Sequence, residues 1–253
     1  MPYPQDLLST RSIISPGTFA LVSPEGLVNN VIPGFHGARI SIVASPKYGA
    51  SFVEYLLELQ PGGGNDAGFG GEGVECFVYL LSGQLMVDVA NESHHLVSGG
   101  YVYAPAGHAM TLANGCSDTT RLLLYKQRYQ SLSDRQPWVV AVNSNTLAHP
   151  IYDGMENVTV CDLLPTDLAF DLNFHILTFQ PGGSHPFVET HVQEHGAYLL
   201  RGEGIYFLDN RWIPVKQGDF IWFGPYVPQA CYGVGREPLS YIYSKDCNRD
   251  VPI

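Results

Sequence analysis

Glu189, His191 and His195 stand in the spacing E-x-H-x-x-x-H within P-G-G-S-H-P-F-V-E-T-H-V-Q-E-H-G-A-Y-L-L-R-G at 181–202, with Gly183 before them and Gly202 after. Glu189 and His191 are two residues apart, so on a strand both side chains leave the same face. A carboxylate and two imidazoles on one face chelate a divalent cation, and they are poor core residues otherwise. The competing explanation is a chance gathering, since the chain has nine histidines. No cysteine falls in the cluster, which disfavours a structural zinc site; a mixed nitrogen and oxygen set suits Mn(II) or Fe(II), although affinity alone would favour Zn or Cu.

A second constellation lies near the C-terminus. Tyr241, Tyr243 and Lys245 alternate with Ile242 and Ser244, so the three share a strand face. If that face lines an interior, burial and a nearby cation would tune the Lys245 ammonium for acid–base work. The alternative is a terminal-strand lysine in solvent, because lysines are rarely buried without a partner. Tyr206, in G-I-Y-F-L-D, reads by itself as a packing aromatic. His185 follows a turn and is set aside, while His149 and His175 read as scaffold.

These groups need a scaffold, and the composition indicates its class. With 253 residues the chain is one large domain or two ordinary ones, and 45% hydrophobic content is ample for buried cores. Only 15% of residues are charged, whereas Gly, Pro and Tyr number 27, 18 and 15, the profile of many turns and short strands. Net charge is −11 with Lys and Arg scattered, which argues against a nucleic-acid partner or an anionic membrane surface. Five cysteines without a C-x-x-C fit reduced thiols better than a disulfide framework. The N-terminal residues lack a signal-peptide pattern and no apolar run is long enough to cross a bilayer, so a cytoplasmic protein is expected.

The chain is also written twice. L-Q-P-G-G-G at 59–64 returns as F-Q-P-G-G-S at 179–184, and Y-L-L-S-G-Q at 79–84 as Y-L-L-R-G-E at 198–203. Gly99 pairs with Gly218 and Lys126 with Lys245, at an offset of 119 to 120 residues. Two β-rich units therefore lie head to tail, each an antiparallel barrel or sandwich. The stretch Q-S-L-S-D-R-Q-P-W at 130–138 has linker chemistry and divides the chain into 1–130 and 131–253. Residues 1–37 read as an arm that pairs onto a sheet, assigned with the first unit. The one helix-like segment is 166–170.

The second unit resembles the cupin superfamily. The first cupin motif runs G, five residues, H-x-H, three or four residues, E, six residues, G. Here the spacing is kept but Glu189 stands at a His position and His195 at the Glu position. In G-D-F-I-W-F-G-P-Y-V-P-Q-A-C-Y-G at 218–233, Gln229 occupies the His position of the second motif. The resemblance thus implies a metal set of Glu189, His191, His195 and Gln229. In the first unit Met110 takes the Gln229 position, and the first motif aligns in two registers: Phe69, Gly71, Glu75 or Gly70, Glu72, Cys76. Neither supplies ligands, so that barrel is expected to be metal-free and structural.

An Glu-His-His-Gln set is uncommon among cupins. With F-G-G-E-G-V-E at 69–75, E-T-H-V-Q-E-H-G-A-Y at 189–198 and Y-I-Y-S-K-D-C-N-R-D at 241–250, it resembles the (S)-ureidoglycine aminohydrolases of allantoin breakdown across nearly the whole chain. The resemblance implies an all-β bicupin of two tandem jelly-roll barrels that binds Mn(II). It also implies that ureidoglycine is converted to ureidoglycolate and ammonia. Tyr206, Tyr241 and Lys245 would face the substrate beside Glu189, with Lys245 and Tyr241 as the catalytic pair. Two other functions compete: an Fe(II) dioxygenase acting on a small acid, and a non-catalytic binding protein. High apolar content and sparse charge favour a homo-oligomer.

Overall fold

The computed structural model describes residues 10–246 and 249–251. Strands dominate these residues, and the helical content is two single 3-10 turns, Pro24–Gly26 and Ser144–Thr146. Alternation such as that of Gln84–Val89, where every second side chain is buried, explains why these segments extend. The helix expected at 166–170 does not form. Asp167 Oδ1 instead accepts the Ala169 N–H at 2.7 Å and the Asp167 carbonyl accepts the Phe170 N–H at 3.0 Å, so the segment closes as a turn. Five residues are too few to nucleate a helix against that local bond.

The strands build two tandem jelly-roll barrels, all of whose recorded pairings are antiparallel. In the first, Thr120–Arg128 runs between Val53–Asn65 and Val74–Ser82. In the second, Leu239–Asp246 runs between Leu172–Phe179 and His195–Arg201. A smaller sheet of Arg211–Lys216, Glu203–Leu208 and Gln229–Gly233 closes the second barrel. The repeat holds in register. Cys76 lies opposite Lys126 and Ala104, and His195 opposite Lys245 and Phe223, each pair of positions differing by 119. This selects the alignment of Gly70, Glu72 and Cys76 against Glu189, His191 and His195.

The two units exchange their leading strands. Phe19–Val22, in the arm, pairs with Phe220–Phe223 of the second barrel, not with the first barrel as its place in the chain suggests. Arg11 fastens it there through an ion pair to buried Asp219 at 2.5 Å. In return Val140–Asn143, beyond the linker, pairs with Gly100–Ala104 of the first barrel. The division at residue 130 stands as a proposal about the barrels, with these two segments crossing it.

Each barrel has its own apolar interior, and a third apolar cluster joins them. At that junction Phe77 stacks on Phe174 with centroids 3.8 Å apart, and Tyr125 meets Phe174 edge-on at 5.0 Å. The Tyr101 hydroxyl donates across it to the Leu163 carbonyl at 2.5 Å. Inside the first barrel Met110, Cys76, Tyr55 and Phe69 fill the space that corresponds to the candidate site, and the Lys126 ammonium lies over the Tyr55 and Phe69 rings.

Glu54 is a buried carboxyl, 2% exposed, and among the described residues its Oε2 has no hydrogen-bond partner. Burial holds its carboxyl well above the usual 4.5. A raised carboxyl is stabilising below the unfolded value and loses that contribution as pH rises. Glu54→Gln, unable to ionise, should therefore unfold with wild type near pH 4 and at a higher temperature than wild type at pH 8. Thermal scans at the two pH values check this; a variant no more stable at pH 8 would contradict it.

Candidate active site

A cavity of about 250 Å³ opens in the second barrel, lined by Glu189, His191, His195, Tyr206, Gln229, Tyr241 and Lys245 among others. The structure thus brings together every residue singled out from the sequence. His195 begins His195–Arg201, between the strands that carry Phe223 and Lys245. Glu189 is tied to Gln229 by a reciprocal pair of backbone bonds, at 2.8 and 3.0 Å, which brings the two side chains side by side. The His191 carbonyl accepts the Tyr226 N–H at 2.7 Å, with Tyr226 in the left-handed region at φ 62°.

The imidazoles decide whether a cation fits. His191 Nδ1 faces the Gln193 carbonyl at 3.1 Å and His195 Nδ1 the Ser244 carbonyl at 2.9 Å. A carbonyl only accepts, so both Nδ1 atoms carry the proton and both Nε2 atoms keep a lone pair. Those Nε2 atoms are 3.3 Å apart. Two facing lone pairs repel unless a proton or a metal ion lies against them. Burial disfavours the proton, holding His195 well below the usual imidazole range, with His191 adding to the effect. The carbonyl behind each ring is the usual partner of a metal-ligating histidine.

Glu189 Oε2 lies 4.0 Å from His191 Nε2 and accepts from Gln229 Nε2 at 2.6 Å. Among the described residues, no three His, Cys, Asp or Glu side chains close into a cage by themselves. The carboxylate is engaged by the Gln229 amide, and loosening that bond frees both groups for an ion. Burial raises the Glu189 carboxyl, and Gln229 and Lys245 oppose it. One carboxylate, one amide and two imidazoles without a thiolate suit Mn(II) or Fe(II).

Around these groups stands a ring of phenols. The Tyr206 hydroxyl donates to Gln229 Oε1 at 3.3 Å and approaches the Tyr241 hydroxyl at 3.4 Å, so Tyr206 does more than pack. Burial pushes Tyr206, Tyr241 and Tyr243 far above the ordinary phenol range, so all three stay protonated. Lys245 lines the cavity half-buried, and its charge acts on Glu189, His191 and His195.

His185, set aside above, also lines the cavity and is 4% exposed. Its signal was present: His185, Phe187, Glu189 and His191 alternate, and all four reach the cavity. His175 is scaffold, bound to Asp162 at 2.6 Å, and His149 contacts the Ser144 carbonyl at 3.3 Å.

Residues 175–244 match the cupin domain, a span that contains the four candidate ligands and Tyr241 and ends one residue before Lys245. The (S)-ureidoglycine aminohydrolase of Escherichia coli (strain K12) is 52% identical over 252 residues, covering 99% of this chain and 97% of that protein. The chain belongs to the (S)-ureidoglycine aminohydrolase family. A probable aminohydrolase of the same name from rice, Oryza sativa subsp. japonica, is 32% identical, covering 97% of this chain and 78% of that protein. The crystal structure of protein Ylba from E. coli superposes with a TM-score of 0.89 at 49% identity, covering 99% of this chain and 100% of that one. Family membership therefore rests on the whole chain, both barrels included.

Proposed function

We propose that this member of the aminohydrolase family converts (S)-ureidoglycine and water to (S)-ureidoglycolate and ammonia, with Mn(II) held by Glu189, His191, His195 and Gln229. The observation that carries the metal part is the pair of imidazole lone pairs fixed 3.3 Å apart by carbonyls behind them. When bound, the ion supplies Lewis acidity toward the donor atoms of the substrate. Lys245 supplies the positive charge that attracts the substrate's carboxylate and moves the proton that the departing amine requires. In the balance, one C–N bond breaks, one C–O bond forms, and water contributes hydroxyl to carbon and hydrogen to ammonia. Tyr206 and Tyr241, kept protonated, donate hydrogen bonds and orient the bound molecule.

Ammonia release from freshly prepared ureidoglycine, measured with and without Mn(II), tests the proposal. Turnover dependent on added Mn(II) supports it. Oxygen consumption with a small acid instead would favour an Fe(II) dioxygenase, and neither activity a binding protein.

His191→Ala should lose the bound ion, whereas Met110→Ala should keep it, because the first barrel's interior is filled with apolar side chains. Elemental analysis of the purified proteins checks both. Two ions per native chain would contradict the assignment.

The same proposal includes a homo-oligomer in the cytoplasm. Exposed Ile14, Val28 and Val31 offer apolar area for a second copy, and the described cysteines are free thiols. Among the described residues no helix is long and apolar enough to cross a membrane. Light scattering should give a mass of at least two chains; a single-chain mass would refute the oligomer.

A further inference from the structure

We infer that His185 recognises the ureido carbonyl of the substrate by donating its Nε2 hydrogen into the cavity, an assignment that rests on the aminohydrolase reading above. The Cys231 backbone N–H donates to His185 Nδ1 at 3.0 Å, and the His185 N–H donates to the Cys231 carbonyl at 3.0 Å. A backbone amide only donates, so Nδ1 keeps its lone pair and the ring proton of the neutral form sits on Nε2. This is the reverse of His191 and His195, whose Nδ1 atoms carry the proton. The same ring type therefore serves two purposes, selected by whether a carbonyl or an amide stands behind it. Among the described residues no group accepts the Nε2 proton of His185, although the ring is almost wholly buried and lines the cavity. Burial and the neighbouring His191 bring its pKa down to about 4, which keeps it a neutral donor.

The position along the barrel says what it donates to. Phe179 meets His185 edge-on at 5.2 Å and stacks on Tyr241 at 5.9 Å, which places the imidazole at the Tyr241 end of the cavity. Lys245 is four residues further along the same strand, roughly 13 Å at about 3.3 Å per residue. A cation at one end matches a carboxylate. A neutral donor against aromatic walls matches a neutral acceptor, because an anion there would be desolvated without a counter-charge. Ureidoglycine carries one group of each kind, a carboxylate and a urea carbonyl.

The test compares inhibition of the Mn(II)-loaded enzyme by (S)-ureidoglycolate and by glycolate, which has the carboxylate and hydroxyl but no ureido group. His185→Asn keeps an oxygen where Nδ1 stood, able to take the Cys231 N–H, but cannot reach with a donor at Nε2. His185→Phe removes both functions. Both variants should lose roughly 5- to 150-fold in ureidoglycolate affinity, with glycolate inhibition and metal content unchanged. Retained ureidoglycolate affinity in His185→Asn, or equal loss for both inhibitors, would overturn the inference. Failure of the underlying reading shows elsewhere, as wild-type enzyme that releases no ammonia from ureidoglycine.

Discussion

Lys245→Met is expected to lower kcat by roughly 10²- to 10⁴-fold while the protein keeps its fold and its metal. The amine of the substrate must gain a proton to leave as ammonia, and water must lose one to become hydroxyl. Few groups in the cavity are free to carry those protons. His191 and His195 have their outer nitrogens committed to carbonyls, and the proposed metal would take their inner lone pairs. His185 is locked as a donor by Cys231. Burial keeps the phenols of Tyr206, Tyr241 and Tyr243 protonated. Lys245 lines the same cavity, opposite His195 on the neighbouring strand and in the electrostatic field of Glu189. Methionine matches its length without titrating. Near-native turnover with full metal occupancy would leave Lys245 as a charge partner and move proton transfer to another group.

The second large effect concerns stability. Phe174→Ala should destabilise the fold by about 3–5 kcal/mol, the range for deleting a buried aromatic. Phe174 is 3% exposed and touches the first barrel through Phe77 and Tyr125, so its removal opens a cavity at the junction of the barrels. For a chain of this size that corresponds to a drop on the order of 10 °C in Tm. The neighbouring Asn173 faces Lys245 across the strand pair, so the same change should also loosen the site and raise KM. Calorimetry checks the first expectation and steady-state kinetics the second. A loss below about 1 kcal/mol would mean that the barrels do not depend on each other for stability.

Much of the site was legible because its information is local. Glu189, His191 and His195 sit within seven residues. The strand expected at Glu189 and His191 is irregular chain held by the single bridge to Gln229, yet both side chains reach the cavity. The alternation of Tyr241, Tyr243 and Lys245 identified the lining strand by its period of two. The internal repeat fixed the two barrels, since a fold written twice gives the same turn glycines twice. Other features depended on contacts that no local pattern encodes. Whether His185 lines a cavity depends on Cys231, 46 residues away, taking up its ring nitrogen. Whether the arm belongs to one barrel or the other depends on the free edge of Phe220–Phe223. At 166–170 the error was one of scale: composition permitted a helix, but a single Asp side chain supplied a closer bond.

The exchanged arm has a consequence for how the chain is made. Leu21 pairs with Ile221, so a strand that leaves the ribosome early must wait for a partner 200 residues behind it. At about 5–20 residues per second, that is roughly 10–40 s during which Phe19, Ala20 and Leu21 have only the short hairpin partner Ile13–Ser15. The first barrel meanwhile receives its own last strand, Val140–Asn143, as soon as the linker has emerged. Birth order and docking order are therefore reversed for the two exchanged segments. The edge of the second barrel is completed only when Phe19–Val22 folds back onto Phe220–Phe223, and the Arg11–Asp219 ion pair closes with it.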